Sequence, residues 1–233
     1  MRISVIIPTL NEEKYIEATL FHIKNQKPLE MIVADSYSKD RTTKIAKRYG
    51  AKVVFEKRKN IAAARNAGAR VAKGDILLFM DADSIAYPNL LETIKKDFSR
   101  DKKLVCWTCK IYAFSPLWKE HLLYDAFNRA SQASVKIKKP RTAGVVMAVR
   151  KSAFDKINGF DERVMVFEDF DLSSRIKKVG NFKYSAKTCV YTSARRINQW
   201  GFWGSLKKYL KMYFKKAVND KYIPNEYYTN PIR

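Results

Sequence analysis

The sequence predicts an α/β fold, a mixed but mostly parallel sheet flanked by helices. Short apolar, β-branched runs alternate with longer amphipathic segments over the first ninety residues, and each run ends in a polar cluster. A hydrophobic content of 46% in 233 residues is enough for one sizeable core.

Strands are expected at residues 3–7, 30–34, 52–55 and 76–80, and helices at 12–25, 41–49 and 61–72, which together make a β-α-β-α-β core. The second half is less regular, with a strand-like run at 104–112, an amphipathic region at 117–134, a strand at 144–149 and a helix at 170–179. The longest apolar runs, such as residues 76–80, have the length of buried strands. None approaches the roughly 18–20 residues that cross a bilayer. The N-terminus enters a strand pattern directly, without the features of a signal peptide, so a cytoplasmic location is expected.

The chain carries 46 basic and 23 acidic side chains, a formal charge of +23. That excess calls for a polyanionic neighbour: nucleic acid, an anionic membrane surface or a phosphorylated substrate. Three cysteines make no disulfide framework and point to a reducing compartment. Cys106 and Cys109 form a C-x-x-C, but within an alternating strand pattern, so a structural role is expected. His22 and His121 lie in helical patterns and are expected to be surface or packing residues.

Ligands of open α/β sheets bind beyond the carboxyl ends of the strands. The polar clusters there are Pro8-Thr9-Leu10-Asn11-Glu12-Glu13, Asp35-Ser36-Tyr37-Ser38-Lys39-Asp40 and Asp81-Ala82-Asp83-Ser84. Residues two apart on extended chain project to one side, so Asp81 and Asp83 suit a single hard cation, Mg²⁺ or Mn²⁺. A metal there would bridge two phosphates and neutralise charge on a departing diphosphate.

These clusters, followed by Ile61-Ala62-Ala63-Ala64-Arg65-Asn66-Ala67-Gly68, Gly144 to Arg150, Gly159-Phe160-Asp161 and Glu168-Asp169-Phe170-Asp171-Leu172, occur in a recognisable order. The chain resembles the family 2 glycosyltransferases, inverting enzymes with a Rossmann-like GT-A fold, over about residues 2–200. The resemblance implies transfer of a sugar from a UDP- or GDP-linked donor to an acceptor hydroxyl or phosphate. By it, Pro8, Thr9, Glu12 and Ala82 line the nucleotide-sugar pocket, Asp35 hydrogen-bonds the base, and Arg65 reaches the base or diphosphate. Asp81 holds the ribose or a metal-bound water, and Asp83 is the direct metal ligand. Asp169 is the base that deprotonates the acceptor, with Gly144 and Glu168 on the acceptor side and Arg195 and Arg196 closing on the leaving group. Taken singly, Thr9, Asp35, Asp40 and Arg65 also read as turn, cap or solvated helix residues. The competing reading of Asp169 is a helix cap, whose dipole would lower its pKa, and the motif match favours the base.

One domain is expected over 1–194, with a nucleotide-sugar half to about 100 and an acceptor half after it, and a basic, aromatic appendage over 195–233. Within the appendage, Trp203, Leu206, Leu210, Tyr213 and Phe214 share a helical face opposite Lys207, Lys208, Lys211 and Lys215. This basic amphipathic helix suits either an anionic membrane surface, with a lipid-linked acceptor, or docking on the domain itself. The Gln-x-x-Arg-Trp signature of processive synthases is missing, which implies single additions. Two readings compete with transfer: a nucleic-acid-binding protein, which lacks a recognisable module here, and a catalytically silent scaffold of the same fold.

Overall fold

A computed structural model of the protein describes residues 1–164 and 166–208. The first half follows the predicted order: β1 (Ile3–Thr9), α1 (Ile16–Lys24), β2 (Glu30–Asp35), α2 (Thr42–Arg48), β3 (Lys52–Phe55), α3 (Ile61–Val71) and β4 (Ile76–Met80). β1 pairs parallel with both β2 and β4, and β2 with β3. β1 and β4 lie inside the sheet, which is why their runs are apolar without alternation.

α1 starts four residues later than the periodicity suggests. Ahead of it, Asn11 is left-handed at φ +55°, and residues 11–13 are tied to the β2–α2 connection and the start of α2: Asn11 donates to Ser38 Oγ, Glu12 to Thr42 Oγ1 at 2.8 Å each, and Glu13 to Asp40 Oδ2 at 3.1 Å. Glu12 therefore sits in a turn, with its carboxylate facing the sheet end. α3 is held by Asn60, whose side chain accepts from the amides of Ala62 and Ala63. Its run of alanines and Gly68 lets the helix lie close on β1; a Cβ on Gly68 would stand 2.5 Å from Ile6 Cγ2.

The second half comprises β5 (Ser84–Ala86), α4 (Leu90–Arg100), β6 (Leu104–Phe114), α5 (Trp118–Lys136), β7 (Val146–Arg150), α6 (Lys151–Lys156), α7 (Glu168–Ile176), β8 (Asn181–Ser193) and α8 (Arg195–Trp200). The sequence reading assigned nothing to β5, α4, α6 or β8. β8 hides from a pattern search because its register against β6 jumps between Cys109 and Lys110, from partner Ser185 to partner Cys189, and that breaks alternation.

The eight strands run in the order β3-β2-β1-β4-β7-β6-β8-β5. β5 stands four positions from β4 in that order, although only Asp81, Ala82 and Asp83 connect them. Four strand spacings in a flat sheet span ~19 Å, whereas the connecting residue steps reach ~14 Å. The sheet must curl, and it brings the end of β8 onto the Asp81–Asp83 loop, where the Ser193 amide donates to the Asp83 carbonyl at 3.1 Å.

All three cysteines are free and buried. Burial pushes the Cys106 and Cys109 thiols upward, so the C-x-x-C is a pair of inert strand residues. Among the described residues no helix is long and apolar enough to cross a membrane. Residues 202–208 are helical with Trp203 76% exposed. The rest of the expected amphipathic helix lies outside the described residues, as does the side chain of Arg196.

Candidate active site

Thr9, Asp35 and Asp81 stand at or just past the ends of β1, β2 and β4, and the curl adds Asp83, Arg195 and the start of α7. Asp35 is fully buried and accepts from Thr9 Oγ1 at 2.8 Å, the Ser38 amide at 2.8 Å and Ser38 Oγ at 2.6 Å. Its carboxylate thus fixes the β2 loop against β1. Beside it, the exposed rings of Tyr37 and Phe55 lie 5.2 Å apart, an aromatic rim that the sequence reading missed. Tyr37 adopts φ +60°, a left-handed conformation unusual for a tyrosine.

Arg65 is 1% exposed and lies beneath the site. Its Nη1 donates to Glu168 Oε1 at 2.6 Å, and its Nη2 to Asp81 Oδ1 at 3.2 Å and to the Gly144 carbonyl at 2.9 Å. The structure therefore shows this guanidinium committed to protein groups, where the sequence reading expected it to reach for the base or diphosphate. It joins the loop after β4 to the first turn of α7. Ala82 is buried between the two aspartates, and its carbonyl accepts from Thr19 Oγ1 at 2.7 Å.

Asp169 is the second residue of α7, two places after Phe167, another left-handed residue at φ +59°. Strain of this kind gathers where a side chain must be aimed. Asp169 Oδ2 accepts from the Gly144 amide at 2.6 Å, and Oδ1 from the Phe170 amide at 2.8 Å. Burial and then the adjacent Glu168 carboxylate raise its pKa to about 7, against the pull of Arg65 and the two amides.

Arg195 closes the other side. It donates through Nη1 and Nη2 to both oxygens of Glu12 at 2.8 and 2.7 Å, and its Nε lies 3.0 Å from Asp83 Oδ2. Among the described side chains, Glu12, Asp35, Asp81, Asp83, Glu168 and Asp169 outnumber the guanidinium groups of Arg65 and Arg195. An acidic cluster in a chain of charge +23 is poorly suited to a diphosphate unless a cation accompanies it. Carboxylate oxygens are the right donors for Mg²⁺ or Mn²⁺. No group of three or more His, Cys, Asp or Glu among the described residues forms a closed metal cage, so further ligands would come from diphosphate and water.

A sequence model of glycosyl transferase family 2 matches residues 4–158. The chain belongs to that family. A second model, described as the N-terminal domain of galactosyltransferase, matches residues 125–197 of this glycosyltransferase. The chondroitin synthase of Pasteurella multocida is 26% identical over 194 residues, 80% of this chain and 20% of that protein. The 4,4'-diaponeurosporenoate glycosyltransferase of Staphylococcus haemolyticus is 38% identical over 109 residues, 43% of this chain and 29% of that protein. The chain thus spans less than a third of either relative. Among solved structures, a mannosyltransferase from Pyrobaculum calidifontis in complex with GDP-Man and Mn²⁺ superposes with a TM-score of 0.71 at 23% identity. That match covers 96% of this chain and 66% of that one. The S. aureus TarS fragment in complex with UDP-GlcNAc gives 0.65 at 19% identity, covering 83% and 58%. These likenesses establish the GT-A-type fold of the glycosyltransferase.

Gly144 ties the two sides of the candidate site together, its amide donating to Asp169 and its carbonyl accepting from Arg65. A Cβ there would stand 2.6 Å from Arg65 Nη2 and 2.9 Å from Nη1, so no larger residue can leave the guanidinium in place. Gly144→Ala is expected to displace Arg65 and lower transfer by about 10²-fold, the effect of misplacing catalytic groups by ~1 Å. Steady-state kinetics beside a thermal melt checks this; full activity in the variant would show that Arg65 has room to move.

Proposed function

We propose that this glycosyltransferase moves a sugar, with inversion, from a UDP- or GDP-linked donor held by a divalent metal, and that Asp169 is its general base. The observation that carries the reading is the placement of Asp169, held by two amides beside the Asp81–Asp83 loop; a pKa raised to about 7 by desolvation suits that role. A base whose pKa lies near neutrality combines availability with strength.

The nucleoside would rest at the ends of β1 and β2, against Pro8, Thr9 and the Asp35 loop, with Tyr37 and Phe55 offering rings for base contact. Asp83, with Asp81 beside it, would hold Mn²⁺ or Mg²⁺, which neutralises the departing diphosphate. Asp169 takes the proton of the acceptor hydroxyl as its oxygen attacks the sugar carbon from the face opposite the diphosphate. Glu168, pinned by Arg65, keeps the carboxylate pair oriented. Arg195 and Arg196 are suited by charge to the departing diphosphate. The chain acts as one catalytic unit that extends past residue 194 to include Arg195. The excess positive charge, and exposed Trp203 beside Lys207 and Lys208, favour an acceptor presented on a lipid-linked phosphate at an anionic membrane surface.

Calorimetry with UDP, GDP and their sugars, in Mn²⁺, Mg²⁺ or chelator, tests the donor side. One nucleotide is expected to bind in a metal-dependent manner, and Asp83→Ala to weaken that binding by about 100-fold or more. Binding that is indifferent to chelator and to Asp83→Ala would overturn the metal assignment.

A further inference from the structure

Arg195 is the first residue of α8, and its guanidinium bridges loops that the sheet curl brings together. It forks onto Glu12 at 2.7 and 2.8 Å, reaches Asp83 Oδ2 through Nε at 3.0 Å, and stacks over the Tyr15 ring at 4.8 Å. The side chains of Arg195, Glu12 and Asp83 are only 16%, 13% and 10% exposed. This differs from a solvated surface pair, which contributes little. A two-pronged, shielded and stacked guanidinium is held in a defined place.

That place is the carboxylate assigned to the metal. A divalent ion and a guanidinium cannot both sit on Asp83 Oδ2 without mutual repulsion in a partly desolvated setting. We propose that Arg195 is the resident counter-cation of the donor site: it holds Asp83 and Glu12 until metal and diphosphate arrive together, yields Asp83 to the metal, and turns its fork onto the diphosphate. The proposal rests on the metal reading above.

The charges explain why the two ligands must come together. Two carboxylates around one guanidinium leave one negative charge. A divalent ion alone reverses it to one positive charge, and the two charges of a sugar-nucleotide diphosphate restore the original balance. In the free enzyme Arg195 thus competes with the metal for Asp83, and a diphosphate that takes the guanidinium relieves that competition. By linkage, nucleotide gains from metal by the same factor.

The test is Mn²⁺ affinity measured by electron paramagnetic resonance of the free ion, with and without UDP or GDP, on wild type, Arg195→Ala and Arg195→Lys. Removing the resident charge is expected to tighten Mn²⁺ binding without nucleotide by about tenfold or more. It is also expected to shrink the nucleotide-induced gain in Mn²⁺ affinity by a similar factor. Arg195→Lys, which keeps a charge but loses the fork, falls between; it remains informative if the alanine variant melts early. Should wild type bind no Mn²⁺ even with either nucleotide, the metal reading and the proposal fall together. Should Mn²⁺ bind with nucleotide while both variants keep the wild-type affinity for Mn²⁺ alone, the exchange alone is overturned.

Discussion

Asp169→Asn is expected to lower kcat by about 10²–10⁴-fold, the usual contribution of a positioned base, while nucleotide affinity stays unchanged. The wild-type kcat/KM should rise with pH and level off above a midpoint near 7, where the Asp169 carboxyl gives up its proton. Asparagine keeps the size of the group, so geometry survives and the proton acceptor is lost. The raised pKa also has a consequence for stability. In the folded chain Asp169 holds its proton to about pH 7, against 3.8 ordinarily, so the native state binds more protons between those values and loses stability as pH rises through them. Asparagine does not titrate. The stability difference between Asp169→Asn and wild type should therefore move in favour of the variant from pH 4 to pH 8, as read by urea midpoints across that range. A pH-independent difference, or wild-type turnover in the variant, would remove Asp169 from the role of base.

Arg65→Ala is expected to destabilise the fold by about 3–5 kcal/mol, because it leaves the buried Glu168 carboxylate without its counter-charge. For a chain of this length that corresponds to a fall in Tm on the order of 10 °C. Arg65→Lys should recover only part of the loss, since an ammonium cannot reach Glu168, Asp81 and the Gly144 carbonyl in the fork that Arg65 uses. Arg65 also holds the Asp169 pKa down, so in any alanine variant that remains folded the midpoint of the pH–rate profile should move upward. Thermal melts and pH profiles of the two variants check both points. A neutral effect on stability would mean that water enters and solvates Glu168.

Much of the first half was legible because local chemistry writes it. Runs of β-branched residues with polar ends, such as residues 76–80 followed by Asp81, mark strand and loop together, and the residues 61–72 alanine pattern marks a helix lying close on a sheet. What was illegible depends on partners far away in the chain. Ahead of helix α1, the left-handed Asn11 and its neighbours are tied through their amides to Ser38, Thr42 and Asp40. The β8 strand does not alternate because its bulge is set by register against β6. Tyr37 and Phe55 carry no sequence motif, and only the adjacent strand ends bring their rings together.

The site divides in the same way. The sequence by itself placed the polar clusters at the sheet ends, with Asp81 and Asp83 after β4, and put Asp169 beside the start of a helix, because strand and helix patterns are local. The tertiary structure decided what each group does to its neighbours. It turned Arg65 inward to join Asp81 to Glu168, set Arg195 across Glu12 and Asp83, and raised Asp169 when a helix start alone would lower it. The physical reason is that charge energies depend on burial and on distances between segments as far apart as Glu12 and Arg195, and the curl of the sheet sets both.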